Sequence, residues 1–224
     1  MEELGKIWQW SLDVAGYHLV FNMTTIVMTL LVITGLLVFS HFAVRNRSYI
    51  PGTCQLIGEM FVGTFWKLTV DALDEDMAKK YFPLICALFM FLWCCNVMGI
   101  VPGLSEPTKD LNTPLGLGIM GFIIAHYAGI RTKGFKNYAK EYFQPVFFMM
   151  PLNVVGELAK VISISFRLYG NIMGGSIIIL VVSYLVYDVV LPPFLYGFFG
   201  LFVGTVQAFV FTMLTLVYIS VQVK

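Results

Sequence analysis

Glu157, Lys160 and Arg167 stand in a stretch, about residues 151–187, that is otherwise apolar enough to cross a bilayer. A charge at mid-membrane costs about 2.5–3.5 kcal/mol on insertion scales, so each of the three needs an opposite charge or water. At about 100° per residue, Lys160 falls about 20° from Arg167 around a helix, and Asn153, Ser163 and Asn171 each about 40° from it. One helical face is therefore polar from end to end, and its chemistry is electrostatic: it can attract, hold or pass charge. Gly174 falls about 20° from Arg167 and forms with Gly170 a small-xxx-small pair that admits a close neighbouring helix. Glu157 lies about 80° off that face and about 15 Å along the axis from Arg167, too far to neutralise it. No other acidic residue is evidently placed to do so, which assigns the counter-charge to another subunit. The alternatives are a guanidinium that snorkels to the interface, or one that sits in a hinge between two short crossings.

The complementary stripe is in the last segment, where Gly197, Gly200, Gly204 and Gln207 recur at helical spacing. Three bare backbone patches and one amide on one face predict tight packing against the preceding helix.

The elements that must carry these residues follow from composition. Of 224 residues, 58% are hydrophobic and 12% charged, against roughly 25% charged in soluble domains. A soluble enzyme and a disordered chain are both excluded. The 14 basic and 13 acidic residues nearly cancel, so net charge gives no nucleic-acid surface. The first apolar run covers about residues 19–44 and closes on Arg45 and Arg47. Over 51–80, Leu56, Met60, Phe61, Phe65 and Leu68 mix with Gln55, Glu59, Lys67 and Asp71, the pattern of a helix lying along the interface. Further crossings are expected at about 82–101 and 114–130, joined by a short polar connection at 103–113.

Beyond Gln144 the chain is apolar to Val223, punctuated by Asp188 and Pro192-Pro193. As one helix, residues 151–187 would measure roughly 55 Å against a hydrocarbon core of about 30 Å, which demands a steep tilt. The alternative is two crossings hinged at Gly174-Gly175. Basic residues favour the single crossing. With residues 1–18 outside, the two inside connections hold five and four Lys/Arg, and the outside connection at 103–113 holds only Lys109. The expected fold is thus all-α and integral to the membrane, a single domain of about five transmembrane helices plus one interfacial amphipathic helix. Its last two helices, within 145–223, are long and tilted and form a hairpin.

Other patterns carry no chemistry. Gly116-Leu-Gly118-Ile-Met-Gly121 has the spacing of a dinucleotide loop but lies within a crossing and follows no strand, so it reads as packing. A P-loop is missing from the sequence, and Cys54, Cys86, Cys94 and Cys95 match neither a disulfide framework nor a zinc site. His18, His41 and His126 are scattered, with Asp13 and His18 at most flanking an outer access path. Asn22-Met-Thr24 is a formal glycosylation sequon at the start of a crossing and reads as inert. No cofactor, metal or nucleotide is expected, and the first residues lack the features of a cleaved signal.

Ser163-Ile-Ser-Phe-Arg167-Leu-Tyr-Gly-Asn171-Ile-Met-Gly-Gly, with Gln207-Ala-Phe-Val-Phe, resembles subunit a of the F-type ATP synthase. Pro51-Gly-Thr-Cys-Gln55 with Glu59, Asn96-Val-Met-Gly-Ile-Val-Pro102 and Pro107-Thr-Lys-Asp110-Leu-Asn112-Thr are similar to that family in order and spacing. The resemblance implies a stator that faces a rotating ring of c subunits, each with a mid-membrane carboxylate. Peripheral stalk b subunits, the catalytic F1 sector and the lipid bilayer would be its other partners; a bacterial plasma membrane is the location expected from the lack of targeting features in the sequence. The resemblance implies that Arg167 is the family's essential arginine between two aqueous half-channels, with Asn171 and Gln207 its polar neighbours and Ser163 and Lys160 on the same face.

Where many relatives place an ionisable pair in the outer half-channel, this chain has Ser176 and Gly200. The outer path would then rely on water held by Ser176, Asn171 and Gln207, with Asp110 near its mouth. Glu157 and Asn153 are candidates for the inner half-channel, and Glu157 bridged to Lys160 is the structural alternative. Two competing functions are a secondary transporter with an anion site at Arg167, for which the sequence shows no internal repeat, and a membrane scaffold.

Overall fold

The computed structural model describes residues 9–14, 17–45, 52–101, 104–142, 150–186 and 191–224. Arg47, Pro51, Pro102-Gly103 and Asp188, all assigned to connections above, lie outside the described residues, as do the side chains of Asp13, His18, Arg45 and Cys54.

Two short strands, β1 (Gln9–Val14) and β2 (Tyr17–Asn22), pair antiparallel with Gln9 opposite Asn22 and Val14 opposite Tyr17. The first crossing therefore starts at Met23 rather than at residue 19. Gln9 to Val14 alternates polar and apolar residues at period two, and Tyr17, Val20 and Phe21 favour a strand by residue type, signals that an averaged hydropathy hides. Helix α1 (Met23–Arg45) follows, then α2 (Thr53–Ala72), α3 (Glu75–Val97), α4 (Asn112–Lys133), the short basic α5 (Phe135–Tyr142) and α6 (Met150–Val186). The last segment is α7 (Leu191–Tyr196), a π-helical stretch (Gly197–Val203) and α8 (Gly204–Val223). Five of these segments are long and apolar enough to span a membrane: Met23–Phe42, Glu75–Ile100, Asn112–Lys133, Met150–Leu185 and Pro193–Val223. Helix α6 runs unbroken for 37 residues through Gly174 and Gly175, so the hinged alternative is not adopted. At 1.5 Å per residue it is about 55 Å long and fits a core of about 30 Å only when steeply tilted.

Helix α8 is the centre of the bundle. Leu216 and Ile219 pack with Phe65 and Leu73 from the α2 region, Ala78 and Ile85 of α3, and Ala125 and Ala128 of α4. Ala208 and Phe211 pack with Leu88 and Leu92 of α3 and with Ile164, Leu168 and Ile172 of α6. Within a bilayer such contacts are held by close packing and interhelical hydrogen bonds rather than by escape from water, which favours small residues. Helix α4 supplies them at Gly118, Gly121, Ala125, Ala128 and Gly129, all buried. Gly118 faces Val161 and Ser165 of α6, and Gly121 faces Thr215 of α8. The glycine pattern in this crossing is thus the wedge that seats α4 between the two hairpin helices. Ser165 Oγ also donates to the Pro114 carbonyl at 3.1 Å.

The predicted glycine stripe of the last segment is only partly correct. Gly200 lies against Ile100, and Gly204 against Asn96 of α3, not against α6. The close contact with α6 is instead Phe199 over Gly175. The cause is the π-helical stretch, whose i→i+5 bonding adds a residue to the turn and rotates the stripe out of α-helical phase. Asn96 Nδ2 donates to the Gly204 carbonyl at 2.9 Å and accepts at Oδ1 from Thr108 Oγ1 at 3.0 Å, and Trp93 Nε1 donates to Thr205 Oγ1 at 2.9 Å. These bonds fix the junction of the π stretch and α8.

The two ends of the bundle differ in charge. At one end, Ser220 Oγ donates to the Ala72 carbonyl (2.6 Å) and Tyr138 Oη to Gln222 Oε1 (2.8 Å), which gathers α5 and the ends of α2 and α8. Lys79, Lys80, Arg131, Lys133, Lys136, Lys140 and Lys224 belong to the chain segments at this end. The other end carries the 104–111 connection, with Lys109 its one basic residue, and the start of the last segment.

Candidate functional site

Helix α6 divides along its length. Val161, Ile164, Ser165, Leu168 and Ile172 are buried against α4, α3 and α8, which turns Ser163, Arg167 and Asn171 outward. The polar face expected from helical phase is therefore on the outside of the bundle, beside Ile162, Phe166 and Ile177, which are exposed too. At Gly170 and Gly174 an added Cβ would meet nothing within 4 Å, so the backbone there is bare. Among the described residues no carboxylate or hydrogen-bond acceptor pairs with Arg167.

Toward the basic end, Lys160 Nζ lies 2.6 Å from Glu157 Oε1 and 5.8 Å from the ring centre of Tyr218. The structural bridge between Glu157 and Lys160 thus forms. The pair also borders a cavity of about 420 Å³ that includes Asn153, Gly156 and Gln222, so bridge and cavity wall are one arrangement.

Asn171 reaches across the hairpin, and its Nδ2 donates to Gln207 Oε1 at 2.7 Å. Gln207 is 4% exposed, and its Nε2 is buried without a partner among the described residues. Ser176 is half-buried on the inward side, and its Oγ donates to the Ile172 carbonyl at 3.0 Å. It lines a cavity of about 10 Å³ together with Glu106, Asn171, Tyr196, Phe199 and Gly200.

Asp110 is at the same end but is occupied elsewhere. Its Oδ2 accepts from Asn22 Nδ2 and Thr25 Oγ1, each at 3.2 Å, and its Oδ1 accepts from the Asn112 backbone N–H at 3.1 Å. It clamps the start of α1 to the start of α4 and does not line the Ser176 cavity.

Sequence reasoning missed Glu106. Its side chain is 9% exposed and lies against Gly99, where any Cβ would collide with the carboxyl group. Lys109 Nζ comes within 3.3 Å of Oε2, but not in hydrogen-bonding geometry, and Oε2 is buried without a bond among the described residues. Burial pushes the Glu106 carboxyl above its ordinary range, with Lys109 offsetting part of the rise. An acid followed by proline in a connection between two crossings was the available signal, but its burial comes from tertiary packing alone.

Fold and site together define a multi-pass membrane protein with a polar, charged row set into an apolar helical hairpin. Residues 23–220 match the family profile of the ATP synthase A chain. The chain is 34% identical over 197 residues to the ATP synthase subunit a of Moorella thermoacetica, covering 88% of this chain and 89% of the relative. It is 34% identical over 196 residues to that of Helicobacter pylori strain Shi470 (84% and 85% covered), and 35% over 195 residues to that of Aliarcobacter butzleri (85% and 84%). The chain belongs to the ATP synthase A chain family, the membrane stator subunit of the F-type ATP synthase. It is a non-catalytic, ion-transporting subunit of the F0 sector.

Proposed function

We propose that α6 and the last segment form the stator face of two offset aqueous half-channels, separated by Arg167, that load and unload ions on carboxylates of a rotating c-ring. The observation that carries this reading is Arg167 itself: outward on α6, beside the bare backbone of Gly170 and Gly174, with no acid paired to it among the described residues. A guanidinium set there within a bilayer calls for a counter-charge, which this reading assigns to a carboxylate of the c-ring. An opposite charge within about 4–6 Å lowers a carboxyl pKa by about 1–3 units. An arriving c-ring carboxyl is thereby driven to give up its ion, and the fixed positive charge blocks a direct path past it.

The inner half-channel is the cavity at Asn153, Glu157 and Lys160, about 10–20 Å along the axis from Arg167. The outer one is on the Asn171, Gln207 and Ser176 side, with Asp110 structural near its mouth; Ser163 lies on the rotor face between Lys160 and Arg167. On this reading the basic end of the bundle faces the cytoplasm, in accord with the bias of Lys and Arg toward that side, with residues 1–18 outside and 51–80 inside in one integral membrane domain. The partners are the c-ring, the b subunits of the peripheral stalk, the F1 sector and the lipid of a bacterial plasma membrane.

The test is Arg167→Ala in the whole complex, reconstituted in vesicles. Loss of ion-driven ATP synthesis, with passive ion leak, is expected; preserved coupling without leak overturns the reading.

A further inference from the structure

We propose that Glu106 is the titrating group of the outer access path, handing protons from the aqueous face to the cavity beside Asn171. This deepens the half-channel reading and rests on it. Residues 104–111 join α3 to α4 at the end of the bundle where Gly200 lies against Ile100, so the connection abuts the hairpin. The cavity of about 10 Å³ that Glu106 shares with Asn171, Ser176 and Tyr196 has room for about one water. A water there has a carboxylate on one side and an amide and a hydroxyl on the other. Asn171 continues the path: its side chain bonds Gln207, and Arg167 is one helical turn away.

Glu106 is the one carboxylate lining that cavity among the described residues. Ser176, Asn171 and Gln207 do not exchange protons near neutral pH, and the oxygens of Asp110 are engaged with α1 and Asn112. Glu106 Oε2 is buried without a well-formed hydrogen bond and has only the Lys109 ammonium, 3.3 Å away, to offset its charge, an arrangement suited to a group that alternates between charged and neutral forms. Among the described residues, the charged and titratable groups that face it are Lys109 on its own connection and Tyr196 of α7, and the α6 residues that line the cavity are uncharged. Burial raises its carboxyl above the ordinary carboxylate range, with Lys109 offsetting part of the rise, which eases uptake of a proton from the aqueous face.

The step conserves atoms and charge. Hydronium at the outer face protonates the Glu106 carboxylate and leaves as water; the acid then gives its proton to the cavity water as that water passes one of its own toward the ring carboxylate, which restores the Glu106 carboxylate. Space for a single water suits this hop and does not admit a hydrated metal cation.

The experiment compares Glu106→Gln, Glu106→Asp and Arg167→Ala in the reconstituted complex, with proton-driven ATP synthesis measured across pH and passive proton leak measured separately. Glu106→Gln, nearly isosteric, is expected to slow synthesis by about 100-fold and flatten its pH profile without opening a leak. Glu106→Asp is expected to keep activity with a displaced profile, and Ser176→Glu placed in the Gln background to restore part of the rate. An unchanged rate and pH profile in Glu106→Gln, beside an uncoupled Arg167→Ala, overturns the role of Glu106 and leaves the half-channel reading standing; coupled synthesis in Arg167→Ala removes that reading whatever Glu106 does. If the Gln variant fails to assemble, the Asp variant decides: a displaced profile supports the role and a wild-type profile overturns it.

Discussion

Asn171 and Gln207, 36 positions apart in the chain, are joined by a 2.7 Å hydrogen bond that crosses the hairpin one turn from Arg167. Asn171 is at the outer surface while Gln207 is buried in the bundle, so the bond links the exposed polar row to the interior. It also holds the outward face of α6 in fixed rotation against α8.

Interhelical hydrogen bonds in membranes are worth about 0.6 to 2 kcal/mol. Asn171→Leu, Gln207→Leu and the double variant should give a coupling energy in that range when thermal unfolding of the complex is compared. Proton-driven synthesis should fall by about fivefold in each single variant, the equivalent of about 1 kcal/mol. Additive losses in the double variant would show that the two amides act independently.

The packing wedge on α4 makes a second, local prediction. A Cβ at Gly129 would be 2.7 Å from the Tyr138 ring and 2.9 Å from the Gln222 carbonyl, and a backbone atom in a packed helix does not yield cheaply. Gly129→Ala should destabilise by about 1–3 kcal/mol. Gly116→Ala, which meets nothing within 4 Å, should be neutral or stabilising by up to about 1 kcal/mol. Thermal midpoints of the two variants check this, and equal midpoints would contradict the close seating of α4 on α8.

Glu106 gives a pH signature to stability. Its folded pKa is raised above the ordinary glutamate value of 4.5, so the native state binds more protons than the unfolded chain between those two values. The contribution is fully present below 4.5 and is lost as pH rises through the folded pKa. Thermal stability of the complex should therefore decline with rising pH over that window, and Glu106→Gln should remove this part of the slope. A variant with the wild-type slope would assign the pH dependence to other groups.

The five crossings were legible because a span needs only length and apolarity, and the unbroken α6 was legible from where the lysines and arginines fall. The outward polar row was legible because α6 keeps regular helical phase from Asn153 to Ser176. Phase arithmetic failed at Gly200 and Gly204, where a π turn that no residue type announces rotates the helix. It could not reach the β1–β2 pair, whose alternation disappears in averaged hydropathy. Glu106 escaped notice for a different reason: outside an apolar run a charge looks ordinary, and only the packing of Gly99 and the hairpin around it makes it costly.

The uncovered main chain at Gly170 and Gly174 has a mechanical consequence. On the proposed stator reading, a helix that travels past α6 would meet bare backbone at these two positions, so charge rather than interlocking shape would set where it rests there. On that reading the guanidinium one turn from Gly170 would act as the detent, and a bulky residue at either glycine would turn a bearing surface into a brake.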